Sequence, residues 1–453
     1  MPLTRTPLLA ETVRKLIARG AYVNAYNIFS RLHPSDIAAI LRELPEHLRR
    51  DAFKTLYKRN LSLASAALSE LGPERGAALL EGLSPQEISQ ILQELDPDDA
   101  AVFVAALPPE LQETILGSMR TKEASDVEDL LQYPEETAGR IMNPKVFSLR
   151  EDTTVEESIR KLQDAGDVEM VFYIYVVDDN GKLVGVLSLR ELLLRRPETK
   201  LEDIMESDVI RVTTDTDQEE VAQLVASYNL LAVPAVDHQN NLVGVITVDD
   251  VIDIIKEEAT EDIFRLAGVD TDDRVFNPPL VSVKKRIPWL MVNLATAFLA
   301  ALVVSRFETV ISRFALLAVF MPIVPSMGGN AANQTLTVIV RGIAMGELSW
   351  VDSRKALAKE VLVGVVNGFV TGLLAALVAL FWKASPWLGA VLALAMIGNL
   401  VVAAVAGTLI PLLLRRLNID PALASSVLVT AATDVAGFLL FLGLGAAFLA
   451  RHS

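Results

Sequence analysis

The chain has 453 residues, 51% of them hydrophobic, with a mean hydropathy of +0.38, yet it carries 57 acidic and 41 basic side chains. Residues 284–453 hold 13 Lys+Arg against 6 Asp+Glu, and the residues before them 28 against 51, so an acidic polar portion precedes a mildly basic apolar one. The acidity excludes a nucleic-acid surface, which needs a basic footprint, and the absence of cysteine excludes disulfides, thiolate metal sites and a cysteine nucleophile.

Residues 1–135 repeat a short phrase. Leu71-Gly-Pro-Glu, Leu83-Ser-Pro-Gln-Glu, Leu95-Asp-Pro-Asp-Asp and Leu107-Pro-Pro-Glu recur every 12 residues. Each reads as a helix start, because proline's fixed φ suits the first turn and acids suit the positive end of the dipole. One such short helix cannot bury its apolar face alone, so a stacked α-helical superhelix is expected, serving as a regulatory surface. No long apolar stretch marks a secretory signal here, and the polar portion is expected in the cytosol.

Residues 136–250 contain a second repeat. "IMNPKVFSLREDTTVEESIRKL" from Ile141 parallels "IMESDVIRVTTDTDQEEVAQLV" from Ile204, and "NGKLVGVLSLRELL" from Asn180 parallels "NNLVGVITVDDVI" from Asn240. Each half reads strand, helix, strand, tight turn, strand, helix, with Asn180-Gly181 as a hairpin signal. The pair resembles tandem CBS domains, through the phrase Gly185, Ser188, Glu191 and its copy Gly244, Thr247, Asp250. That resemblance implies an adenosine-nucleotide site using Ser188, Arg190, Glu191 and Thr247. Tyr173 and Tyr175 are candidate adenine neighbours, or core residues of a strand.

Residues 251–283 form an acidic connector that suits one or two amphipathic helices. Asp250, Asp253, Glu257 and Glu261 follow helical steps along one face, where like charges repel unless a cation sits among them.

Residues 284–453 read as five membrane spans, at 288–307, 311–340, 361–382, 387–414 and 424–450, each near the roughly 20 apolar residues a crossing needs. Nine basic residues flank the spans on one side and four on the other, which places the N-terminal domains in the cytosol and the C-terminus outside. "MPIVPSMGGNAANQ" (321–334) reads as a broken second span, its amides Asn330, Asn333 and Gln334 lining an aqueous path. Asp434 stands alone in the last span, with Thr430 and Thr433 supplying hydroxyls nearby. A carboxylate at membrane depth costs about 2.5–3.5 kcal/mol on insertion scales, so it needs a proton, a permeating cation or a distant partner. Oxygen donors alone suit hard divalent ions such as Mg²⁺, Ca²⁺ or Mn²⁺.

Acidic superhelix, CBS pair, acidic connector and five spans in that order resemble the MgtE family of magnesium channels, most specifically through "ITVDDVIDIIKEEATEDI", "GGNAANQ" and "TDVAG". The resemblance implies a multidomain membrane protein of the cell (inner) membrane, acting as a homodimer with one pore at the subunit interface. Asp434 would line that pore with Asn330, Asn333 and Thr430, facing hydrated Mg²⁺. The connector would be a plug closed by Mg²⁺ on the sensing acids Asp98, Asp250, Asp253, Glu258, Glu261 and Asp262, with Glu94 and Glu219 as further candidates, and ATP would tune the response. The chain departs from the family at Asn229, where an acid can stand, at Ser425-Ser426-Val427, and at Ala331-Ala332. The expected function is passive Mg²⁺ influx; the alternative is a cation-coupled carrier or exporter alternating Asp434 between proton and metal. No P-loop and no nucleophile–base pair point to an enzyme.

Overall fold

Prolines set the spacing of the N-terminal helices. In the computed structural model Pro34, Pro73, Pro85, Pro97 and Pro109 each occupy the first position of a helix, where a missing N–H leaves nothing unsatisfied. Ser84 adds a full capping box with Glu87. Residues 6–165, 172–271, 273, 275, 277–348, 350–382, 386–417, 419–421 and 425–452 are described. They fall into two compact units, Met1–Ile255 and Lys256–Ser453.

In the first unit, ten short helices run from Thr6–Ala18 to Thr121–Gln132 and bury Phe29, Phe53 and Phe103 between them. Two three-stranded sheets follow. Strands β1 (Ser148–Arg150), β2 (Tyr173–Val177) and β3 (Leu183–Ser188) form one, in that order; β4 (Val212–Thr213), β5 (Ala232–Val236) and β6 (Leu242–Thr247) form the other. In each the first pair is parallel and the second antiparallel, with one helix after the first strand and one after the third. The expected repeat is therefore present. Asp178 accepts the N–H groups of Asn180 and Lys182 at 2.8 Å, which shapes the turn at Gly181 (φ +82°).

The repeated glycines have a packing role that the sequence did not suggest. A Cβ on Gly185 would lie 2.3 Å from the Met205 sulfur, and one on Gly244 would lie 2.7 Å from that of Met142. The methionine that opens each half thus seats on the sheet of the other half, which ties the two repeats together. Buried side chains run continuously from the superhelix through Met142 into Val233, Ala235 and Ile246 of the second sheet.

The connecting helix spans Val248–Leu266, starting three residues before the expected connector and including Asp249 and Asp250. Among the described residues, five helices of the second unit are long and apolar enough to cross a membrane. They are Pro279–Ser305, Ala315–Ala344, Ser353–Phe381, Pro386–Arg416 and Ser425–His452, called here the first to fifth spans.

Two expectations need correction. The second span is interrupted only at Met321-Pro322; the helix resumes at Ile323 and runs unbroken through Gly328, Gly329, Asn330, Asn333 and Gln334. Pro325 fits because it lies in the first turn, where its N–H is not needed. The third span begins at Ser353 rather than near residue 361, so Glu360 lies within it. Gly364, Gly368 and Gly372 pack against the fourth span: a Cβ on each would meet Leu400 O at 2.7 Å, Ile397 Cα at 2.7 Å and Ala393 O at 3.0 Å.

Candidate functional site

The glycines of the second span decide what lies beside Asp434. A Cβ on Gly328 would sit 3.3 Å from Thr433 Cβ, and one on Gly329 would sit 3.9 Å from Thr433 Oγ1. The two polar phrases, "GGN" and "TD", are therefore neighbours across the second and fifth spans. Thr433 is fully buried, and its hydroxyl donates to the carbonyls of Val429 (3.1 Å) and Thr430 (2.9 Å), which hides its polar hydrogen within the helix. Asp434, next to it, is half-buried; Asn330 and Asn333 are exposed along the second span, and Thr430 is half-buried. Among the described residues the Asp434 carboxylate has no hydrogen-bond or ion-pair partner.

Asn399 joins this arrangement unannounced. It lies in the fourth span with no exposed surface, and its Nδ2 donates to Val324 O at 2.9 Å, in the first turn after the break. That nitrogen fills the space a Cβ on Gly328 would need, at 2.1 Å, and lies 2.8 Å from where one on Gly437 would be. The Asn399 Oδ1 is buried without a partner. The second, fourth and fifth spans thus meet on one amide, a turn beyond Asp434. Only the isolated polarity of "MIGNLV" could have singled it out.

Two clusters of acids lie on or against the connecting helix. Within the first unit, Asp250 accepts from Thr247 Oγ1 at 2.7 Å, and burial pushes its pKa up to about 6, with Asp249 and Asp99 adding repulsion. Asp99 is raised as well, by burial and then by Asp96, Asp249 and Glu70, despite a 2.5 Å hydrogen bond from Ser69. Asp98, singled out from the sequence, is buried at 8% exposure, and its neighbour Asp99 adds repulsion at Asp250. Lys145 reaches Asp96 at 3.6 Å. The phrase "LDPDDA" carries Asp96, Asp98 and Asp99 together, which was the available signal.

Within the second unit, burial pushes Asp262 up to about 6, reinforced by Asp420 and Glu258. Arg265 bonds both Glu261 and Asp420. Asp420 lies in the segment before the fifth span and was not anticipated. Asp253, Glu94 and Glu219 are exposed. Asn229 caps its helix in the left-handed conformation (φ +52°), which asparagine tolerates better than an acid.

Of the expected nucleotide residues, Tyr173 and Tyr175 line one cavity of about 200 Å³, together with Glu206, Asp208 and Pro234. Tyr175 is 3% exposed and its hydroxyl has no partner. Ser188 is outside the described lining and caps the next helix, accepting from Glu191 N at 3.2 Å, although it pairs with Tyr173 across β2 and β3. Glu191 faces Arg195 at 3.5 Å; neither it, Arg190 nor Thr247 lines the cavity as described.

Among the described residues no three His, Cys, Asp or Glu side chains form a ready-made metal cage. The chain matches the MgtE intracellular N domain over 32–136, the CBS domain over 138–198 and 201–257, and the MgtE divalent cation transporter domain over 321–444. It is 36% identical to the magnesium transporter MgtE of Thermus thermophilus over 441 residues, covering 96% of this chain and 97% of that one. Identity to the Bacillus subtilis protein of the same name is 32%, covering 96% of each. The solved cytosolic domain of the Mg²⁺ channel MgtE in complex with ATP is 38% identical and superposes with a TM-score of 0.51, covering 54% of this chain and 99% of that one. With such likeness along nearly its whole length and all three domain types in order, this chain belongs to the MgtE family of magnesium transporters.

Proposed function

We propose that this protein conducts Mg²⁺ passively across the cell membrane, past Asp434, and that Mg²⁺ on its acidic cytosolic domains shuts the path. The carrying observation is a membrane carboxylate left without any described protein partner, beside a close crossing of two helices. Such a group is retained at a substantial cost unless a cation answers it. One carboxylate per chain is too few to strip Mg²⁺ of its water, and Mg²⁺ dehydrates reluctantly. The ion accordingly passes hydrated, held through water by Asp434 of two copies, with Asn330, Asn333 and Thr430 hydrogen-bonding the hydration shell. The pore is then the interface of a homodimer, with the N-terminal domains in the cytosol and the C-terminus outside.

Regulation follows from desolvation. Asp250 with Asp99 and Asp249, and Asp262 with Glu258 and Asp420, are groups of carboxylates that repel one another while partly removed from water. Mg²⁺ relieves that repulsion in the compact arrangement more than in an open one, which supplies the differential affinity that gating requires. Asp98, Asp253, Glu261, Glu94 and Glu219 extend these surfaces. An adenosine nucleotide in the cavity at Tyr173 and Tyr175 tunes the response, with Ser188, Arg190, Glu191 and Thr247 at its margin.

The test is Mg²⁺ uptake into proteoliposomes with and without an imposed proton gradient. Uptake driven by the Mg²⁺ gradient alone is expected. Uptake that requires a proton gradient would instead favour a coupled carrier in which Asp434 exchanges proton for metal.

A further inference from the structure

Glu360 is a second carboxylate within the membrane helices, and the transport reading leaves it unused. It is 5% exposed, on the third span, and accepts a hydrogen bond from Thr335 Oγ1 of the second span at 3.1 Å. Its other described partner is the adjacent Lys359, whose Nζ stands 2.8 Å from Oε1 while its own side chain is 65% exposed. One fixed neutral donor and one loosely held ammonium are weak compensation for a buried charge.

Glu360 also borders a cavity of about 230 Å³ between the second, third and fourth spans. Around that cavity stand Gln334, Thr335 and Asn367, all bearing oxygen, with Gly364 keeping the third span close to the fourth. The space is roomy enough for a divalent cation together with water, and Val338, Val363 and Leu400 line it beside the oxygens. Amide and hydroxyl oxygens suit the outer face of a hydration shell, and one buried carboxylate supplies the charge.

We propose that Glu360 anchors a second cation site, in which a hydrated divalent ion occupies this cavity and displaces the Lys359 ammonium into solvent. The proposal shares with the transport reading only the identity of the ion as hydrated Mg²⁺. It does not depend on Asp434 being the pore.

The chain contains no cysteine, so Val363→Cys, one turn from Glu360 and on the cavity wall, accepts a unique trifluoromethyl tag. With the full chain in lipid nanodiscs, Mn²⁺ is titrated while the ¹⁹F linewidth is followed. Saturable broadening that excess Mg²⁺ reverses is expected; Glu360→Gln, which keeps a group able to accept from Thr335, should lose it, and Asp434→Asn should retain it. Broadening that survives Glu360→Gln, or none in the parent protein, overturns the proposal. Should Glu360→Gln fail to fold, Lys359→Met decides: removal of a competing ammonium lowers the half-saturating Mn²⁺ concentration, whereas an unchanged value means that the ion does not displace Lys359 from Glu360 and overturns the proposal. Loss of transport in Asp434→Asn with broadening intact separates this site from the pore.

Discussion

Gly328 and Asn399 share one small volume, and that sharing fixes the helix beside Asp434. An alanine methyl at position 328 would lie 2.1 Å from Asn399 Nδ2, so either the amide turns away from Val324 O or the spans separate. Overpacking of this kind costs about 1–3 kcal/mol. Gly328→Ala should therefore lower the melting temperature in detergent and reduce Mg²⁺ uptake, while Gly329→Ala, whose Cβ meets nothing closer than 3.9 Å, should be tolerated. Equal behaviour of the two variants would contradict the packing described. At this scale the sequence was partly readable. Asp434 stood out because a lone charge among apolar residues has few explanations. Asn399 did not, because its partner Val324 lies 75 residues away and one amide in a 31-residue helix looks incidental. Glu360 was hidden by the basic segment "RKALAKE", which reads as a loop until the helix is seen to start at Ser353.

Among the elements, the connecting helix carries the most testable electrostatics. Asp250, near its first turn, has a pKa of about 6 in the fold against about 3.9 when unfolded. The fold therefore binds that proton more tightly: its contribution to stability is full below about pH 4 and is lost as pH rises through about 6. In the absence of divalent cations, Asp250→Asn should remove this loss and stabilise the cytosolic portion at pH 7 by on the order of 2–3 kcal/mol. Thermal unfolding of the full chain in EDTA at pH 5 and pH 7 measures it; a variant that follows the parent at both values would show that Asp250 bears no such strain. Helix starts and hairpins were legible because proline, cap and Asn-Gly chemistry act locally. The continuous helix through Gly328 was not, because Gly-Gly reads as a break until the close partners Asn399 and Thr433 give it a packing reason. Likewise Gly185 and Gly244 read as a ligand phrase, while the methionines that need them lie in the other half of the repeat.

For the molecule as a whole, order of domains and charge segregation were plain from the sequence, whereas the joining of acids from distant segments was not. Asp99 and Asp250 lie 151 positions apart in the chain, and Asp262 and Asp420 158 apart, so no spacing rule connects them. If Mg²⁺ compacts the cytosolic portion through these groups, limited proteolysis near Glu257 should slow in Mg²⁺, and combined Asp99→Asn and Asp250→Asn substitution should weaken that protection. Cleavage at the same rate with and without Mg²⁺ would remove the basis for gating by these acids. The central claim is that the ion passes Asp434. It is tested most directly by Mg²⁺ influx into proteoliposomes carrying the parent protein or Asp434→Ala, matched for reconstituted amount. Influx should fall to the level of empty liposomes in the variant; a variant that conducts as well as the parent would contradict the account.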